Sequence, residues 1–403
     1  MTVAKVITDQ LEHSSWIRRM FEEGARLKRE RGAENVFDFT LGNPDVEPPP
    51  AVIGSAIACL QEGKPGSHAY MPNAGFPQVR RRIAEKLSAA TRLGYTEQHV
   101  IMTVGAAGGL NTILKAILDP GDEVIVLAPY FVEYGFYIEN HGGKVVVVNT
   151  SREFLPDMAA IRRAITGRTR AIIINSPNNP TGVVYPPRTF EELEDLLRSL
   201  DHEVLLLSDE PYKALAFSGV RPPEVATFVS HSIQIYSWSK AMAIPGERIG
   251  SIAISPRVPD AESLFGACSF TIRILGFVNA PALWQWVVAD SWDQSVDATI
   301  YEEKCDLLWE ALRRIGYEVV RPGGAFYLFP KSPIPDDVAF IQILKDEGIL
   351  AVPGSGFGTP GHFRLSLTVP MQTIERAITG FHHAYRRARE IGRADPPAEQ
   401  HEK

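Results

Sequence analysis

Residues 170–212 read RAIIINSPNNPTGVVYPPRTFEELEDLLRSLDHEVLLLSDEPY, and this stretch decides the fold. Two apolar runs, Arg170–Ile174 (RAIII) and Val204–Leu207 (VLLL), are separated by a helical pattern, and each breaks off into polar residues. A short apolar run without alternation suits a strand buried on both faces, as in a parallel sheet. Working outward, the rhythm recurs at Glu123–Leu127 (EVIVL), Lys144–Val148 (KVVVV) and Ser232–Tyr236 (SIQIY), and Ile249–Ile254 (IGSIAI) adds a further strand. Strands alternating with helices predict an α/β fold, a large domain with a central, mainly parallel sheet.

The character changes near Trp292. A long amphipathic helix is expected over Ser295–Ile315, then strands at Tyr317–Arg321, Ala325–Phe329 and Phe363–Leu367. That order predicts a smaller α+β domain. Asn43-Pro44 and Pro48-Pro49-Pro50 mark an extended crossing segment, so the N-terminal residues are expected to pack with the small domain. The expected division is 44–291 for the large domain and 1–43 with 292–393 for the small one. The polar stretch 394–403 reads as a disordered tail.

Composition narrows the function classes. With 45% hydrophobic and 22% charged residues, the 403-residue chain is long enough for one large core and a smaller one. A net charge of -7 without any block of Lys and Arg argues against nucleic acid or an anionic membrane as partner. The opening MTVAKVITDQLEHSSW has no apolar core and no small-residue cleavage site, so no secretory signal is read there. No apolar run approaches a membrane span. Cys59, Cys268 and Cys305 are far apart and lack metal-ligand spacing, which suits thiols in a reducing, cytoplasmic compartment.

Ligands of an open parallel sheet bind at the carboxyl ends of its strands, and the polar motifs fall there. One strand ends in Ser176-Pro177-Asn178-Asn179-Pro180-Thr181-Gly182, a second in Ser208-Asp209-Glu210-Pro211-Tyr212, and a third in Ser237-Trp238-Ser239-Lys240. An amide, a carboxylate with a phenol, and an amine therefore converge on one crevice. A pyridine-aldehyde phosphate needs such a set. Lys240 supplies the amine, Asp209 the carboxylate that keeps a ring nitrogen protonated, and Tyr212 with Asn179 donors for a ring oxygen. Arg248 and the hydroxyls of Ser237 and Ser239 are candidates for the phosphate. So is the turn Thr103-Val104-Gly105-Ala106-Ala107, which opens the helical pattern from Gly108 to Leu118. Phe131, after Pro129-Tyr130, is an aromatic suited to stacking on a ring or to ordinary core packing.

SPNNPTG, SDEPY, SWSK and the following PGERIG, with GGAFYLF (Gly323–Phe329) and FRLSL (Phe363–Leu367), resemble the class I/II aminotransferases. These are the aspartate aminotransferase-like group of fold-type I enzymes dependent on pyridoxal 5′-phosphate (PLP). The similarity runs from Leu41-Gly42-Asn43-Pro44 to Arg364. It implies that Lys240 carries the cofactor and that Asp209 partners the ring nitrogen. Tyr212 and Asn179 would meet the ring oxygen, and Ser237, Arg248 and the backbone at Ala106 and Ala107 would hold the phosphate. Arg364 would pair with the substrate α-carboxylate, which Gly42 would let approach the backbone. Tyr70 would reach the neighbouring subunit's phosphate, making the active unit a homodimer.

The implied reaction moves an amino group from an L-amino acid, aspartate or an aromatic one, to a 2-oxo acid such as 2-oxoglutarate, with Lys240 moving the α-proton. Where some bacterial members carry a lysine for a distal carboxylate, this chain has Ala107. The segment Phe270–Asn279 (FTIRILGFVN) replaces the family's Ser/Thr-rich run, and its Arg273 is a candidate for the missing cation or a plain surface arginine. Asp209 as a helix cap and Arg364 as a structural ion pair are the duller alternatives. The same constellation also serves carbon–sulfur lyases, and a PLP-binding sensor module is a further reading. Sensors of that kind carry a DNA-binding segment, and none is read before Leu41.

Overall fold

The computed structural model describes residues 2–12, 16–64 and 66–394. The tail expected over 394–403 lies, beyond Ala394, outside the described residues. The chain divides into two compact units, one of residues 43–299 and 323–325 and the other of residues 1–42, 300–322 and 326–403.

The larger unit is built on a seven-stranded sheet. Its strands are β1 (Val100–Thr103), β2 (Glu123–Ala128), β3 (Lys144–Asn149), β4 (Thr169–Asn175), β5 (Leu205–Asp209), β6 (Ser232–Ser237) and β7 (Gly250–Ile254). Their order is β1-β7-β6-β5-β4-β2-β3. The pairs β3–β2, β2–β4, β4–β5 and β5–β6 are parallel, whereas β7 runs antiparallel to both β6 and β1. This is the mainly parallel sheet that the apolar runs predict. β1 is a strand that the sequence reading passed over, since VIMT is short and follows a polar turn.

Both sheet faces are covered, and strand alternation shows how. Ile101, Ile252 and Ile254 join one core with Leu110, Ile113 and Leu114 of helix α1 (Gly105–Ile117). Val100, Met102 and Ala253 point the other way, into a second core with Val79, Ile83 and Trp238. β3 lies at the sheet edge, so Lys144 and Val147 remain exposed although its sequence is as apolar as its neighbours'.

The smaller unit holds the helix Thr299–Ile315 from Ile300 onward, the helices Asp337–Asp346 and Met371–Ala394, and short strands. Phe363–Ser366 lies antiparallel between Val352–Pro353 and Tyr327–Leu328, and Phe37–Asp38 runs parallel to Ile349–Leu350. Tyr317–Arg321 is not the strand that its pattern predicts. Gly316, at φ 119°, ends the long helix, and Tyr317 turns its ring onto Phe340, Phe363 and Phe381. Glu318 carbonyl accepts a backbone bond from Lys331, but no ladder forms along the run. Among the described residues no helix is long and apolar enough to cross a membrane, and no group of three His, Cys, Asp or Glu is placed to hold a metal.

Candidate active site

β4, β5 and β6 are adjacent and parallel, so their carboxyl ends share one edge of the sheet. Asn175 closes β4 opposite Asp209, which closes β5. The Asn175 Nδ2 donates to the Asp209 carbonyl at 2.8 Å, and its Oδ1 accepts from Asn179 N–H at 2.6 Å. One buried amide thus ties the end of β5 to the SPNNPTG loop. Within that loop Asn178 Oδ1 accepts from both the N–H and the hydroxyl of Thr181, at 3.1 and 2.9 Å. Asn179 is held, buried, by this loop.

The Asp209 carboxyl is 5% exposed. Its Oδ2 accepts from the Tyr134 hydroxyl at 2.5 Å, whereas Oδ1, equally buried, accepts no hydrogen bond among the described residues. Burial pushes the carboxyl up from 3.8 to about 7; the Tyr134 bond pulls it down and the nearby Glu210 charge adds to the rise. A buried carboxylate oxygen without a donor is costly by itself and well suited to a cationic N–H. That is the fit a protonated pyridine nitrogen requires. Tyr212 lies buried just beyond, at the start of the 3-10 turn Lys213–Leu215.

Glu210 belongs to a separate buried network. It accepts from Ser208 Oγ at 2.7 Å, Gln234 Nε2 at 2.7 Å and Lys213 Nζ at 2.9 Å, and Lys213 also reaches Glu224 at 2.7 Å.

After β6, Ser237 caps the one-turn helix Trp238–Ala241, accepting from Ser239 N–H at 3.2 Å and donating to Ser239 Oγ at 2.8 Å. Lys240 sits half-buried in this turn between buried Ser239 and Ala241. Arg248 Nη1 donates to Pro245 carbonyl at 3.0 Å and reaches Ser239 Oγ at 3.5 Å. A Cβ placed on Gly105 would stand 2.7 Å from Arg248 Nη2, so the guanidinium lies directly on the first residue of α1. Gly105 also has φ +68°, a conformation that L side chains rarely adopt. The first N–H groups of a helix lack intrahelical partners, and Ala106 and Ala107 are in that turn. A fixed cation, two hydroxyls and a helix N-terminus are together the groups that could hold a phosphate. The helix begins at Gly105, three residues earlier than its sequence pattern predicts.

Phe131 is partly buried against the sheet core, with its ring edge-on to Tyr134 at 5.6 Å between centroids. Tyr70 is 92% exposed in the single chain. Arg273, exposed on the helix Ala261–Ile274, lies over the ring of Phe270 on the same helix at 5.3 Å.

The smaller unit contains the two remaining candidates. Arg364 is 2% exposed, and its guanidinium lies between the rings of Tyr327 and Phe357 at 4.8 and 4.9 Å. Its Nη2 donates to Thr40 carbonyl at 2.6 Å. Two aromatic faces and a carbonyl fix the plane of the guanidinium, as bidentate recognition demands. A side chain at Gly42 would collide with the Tyr327 hydroxyl.

The sequence reading missed Asn175 and Tyr134. Tyr134 is one of three tyrosines in PYFVEYGFY, and nothing in that string separates it from Tyr130 or Tyr137. Asn175 reads as the polar end of a strand, and only the register across to Asp209 reveals its task.

A family model described as "Aminotransferase class I and II" matches residues 34–381. The aspartate/prephenate aminotransferase of Thermus thermophilus is 37% identical over 91% of this chain and 94% of its own length. The aspartate aminotransferase of Thermotoga maritima is 32% identical, covering 86% and 90%. Among solved structures, an amino transferase from Eubacterium rectale superposes with TM-score 0.92 at 34% identity, covering 96% of this chain and 99% of that one. An aspartate aminotransferase from Thermus thermophilus with maleate gives TM-score 0.84 at 32% identity over 95% and 100%.

Proposed function

The chain belongs to the class I and II aminotransferases and is a PLP-dependent transaminase, and on that premise we propose the role of each residue, the substrates and the assembly. The observation that supports the assignment is the Asp209 carboxyl, buried at a strand end with an Oδ1 that accepts no hydrogen bond among the described residues, one strand from Lys240. Asp209 Oδ1 holds the ring nitrogen, Tyr212 and Asn179 hold the ring oxygen, and Phe131 covers the ring. Arg248, Ser237, Ser239 and the N–H groups of Ala106 and Ala107 hold the phosphate. When bound, PLP supplies the electron sink for cleavage of the α-hydrogen bond. Lys240 Nζ binds the cofactor in the resting enzyme and, once released, takes the α-proton from one carbon and returns it to another. Arg364 fixes the substrate α-carboxylate, while Gly42 leaves the backbone accessible to that carboxylate.

The donor we propose is aspartate or an aromatic L-amino acid, with 2-oxoglutarate as acceptor. The names of the Thermus and Thermotoga relatives support the first, and the apolar run around Phe270 supports the second. We place the enzyme in the cytoplasm as a homodimer, with exposed Tyr70 completing the partner's phosphate site. The domains in this reading divide near Asn43 and Trp292. Steady-state kinetics with aspartate, phenylalanine and tyrosine as donors test the substrate assignment. Loss of aspartate turnover alone in Arg273→Ala identifies that arginine as the distal cation; unchanged turnover removes it from the site. Turnover of none of these donors refutes the substrate assignment.

A further inference from the structure

We propose that Tyr134 is the positioning residue of Asp209, its phenol engaging Oδ2 so that Oδ1 is the oxygen offered to the cofactor's ring nitrogen. The inference rests on the reading of Asp209 given above. Besides the sheet ladder, two side-chain hydrogen bonds hold this aspartate among the described residues, and they act on different parts of it. Asn175 Nδ2 fixes its backbone through the carbonyl at 2.8 Å. That leaves the side-chain torsions, and Tyr134 is the hydrogen-bond donor to the carboxylate among the described residues. Without the phenol, rotation about Cβ–Cγ exchanges the two oxygens, and neither keeps a set direction.

Tyr134 is built for a fixed task. It comes from helix α2 (Glu133–Asn140), is 2% exposed, packs in the core between sheet and helix, and meets the edge of Phe131. Burial first, and then the Asp209 charge, raise its phenol well above the usual range, so it remains a donor at every working pH. Charge-assisted O–H···O⁻ bonds are short and strong, and 2.5 Å lies at that short end. The other titratable groups that act on Asp209 or Tyr134 are Glu210, Tyr137 and Tyr212. Of these, Glu210 is engaged by Ser208, Gln234 and Lys213.

The test measures PLP binding by absorbance titration of cofactor-depleted protein, for the wild type, Tyr134→Phe, Asp209→Asn and the double variant. A hydrogen bond to a charged group corresponds to a factor of about ten to a hundred. Tyr134→Phe is therefore expected to raise the PLP dissociation constant by about that factor and to move the pH inflection of binding upward. Because the phenol acts only through Asp209, the double variant should bind no more weakly than Asp209→Asn alone. Wild-type affinity and an unmoved inflection in Tyr134→Phe overturn the proposal, as does full additivity of the two losses. If Asp209→Asn itself binds PLP like the wild type, the ring-nitrogen assignment fails first and Tyr134 with it. Should Tyr134→Phe not fold, 3-fluorotyrosine at position 134 replaces it. Its fluorine resonance should titrate with Asp209 and lose that titration in Asp209→Asn; a resonance indifferent to Asp209 overturns the proposal.

Discussion

Replacing Asp209 with Asn should change how the stability of the cofactor-free protein depends on pH. In the folded chain the carboxyl is raised from 3.8 to about 7, with burial the main cause. A folded-state value above the unfolded one means that the native state binds the proton more tightly between those two values. Stability therefore falls as pH rises through that window and levels off above it. At about 1.4 kcal/mol per unit, the shift corresponds to a contribution on the order of 4 kcal/mol, of which about 2 kcal/mol is lost between about pH 5 and about pH 7. Asn cannot ionise, so the variant lacks this slope, and every other titrating group cancels in the comparison. Urea unfolding of both cofactor-free proteins at the two pH values measures the difference. The wild type should lose about 2 kcal/mol relative to the variant between about pH 5 and about pH 7. Parallel pH dependence in the two proteins would show that Asp209 is not held in the buried state described, and the reasoning about its unbonded oxygen would fall.

Arg364→Lys keeps the charge but loses the planar fork between Tyr327 and Phe357. It should lower kcat/KM for every donor by about a hundredfold, on the scale of a lost buried charge-assisted contact, in steady-state assays. Gly105→Ala forces a Cβ against Arg248 Nη2 at a positive φ; faster PLP release in dialysis should accompany about 1–2 kcal/mol of lost stability in urea. Lys213→Met leaves Glu210 buried without its cation and should destabilise the chain by about 3–5 kcal/mol, measured by the urea midpoint.

Much of this was legible in the sequence because burial on both sheet faces leaves a plain mark. The runs EVIVL, RAIII and SIQIY each became a strand of the parallel sheet, and the polar residues after RAIII, VLLL and SIQIY fell at one edge. Strand VIMT was missed because four apolar residues after a turn carry too little pattern, and Tyr317–Arg321 was misread because aromatic packing of Tyr317 overrode its local propensity. Lys240, Asp209 and Arg248 were visible through motifs at strand ends. Tyr134 was not, since its significance is a contact 75 residues away in the chain that no local spacing encodes. The cluster proposed for the phosphate was half legible: the small residues at Gly105–Ala107 stood out, whereas the close approach of Arg248 to Gly105 appears only when both are folded onto the same sheet edge.

The most direct test is the visible absorbance of the purified protein as L-amino acids are added one at a time, followed by a 2-oxo acid. The wild type should be coloured by PLP, lose that band with a true donor, and regain it with 2-oxoglutarate, while Lys240→Ala shows neither the band nor the cycle. A protein that stays colourless with PLP added, or a Lys240→Ala variant that cycles like the wild type, would contradict the assignment of Lys240 as the residue that carries the cofactor.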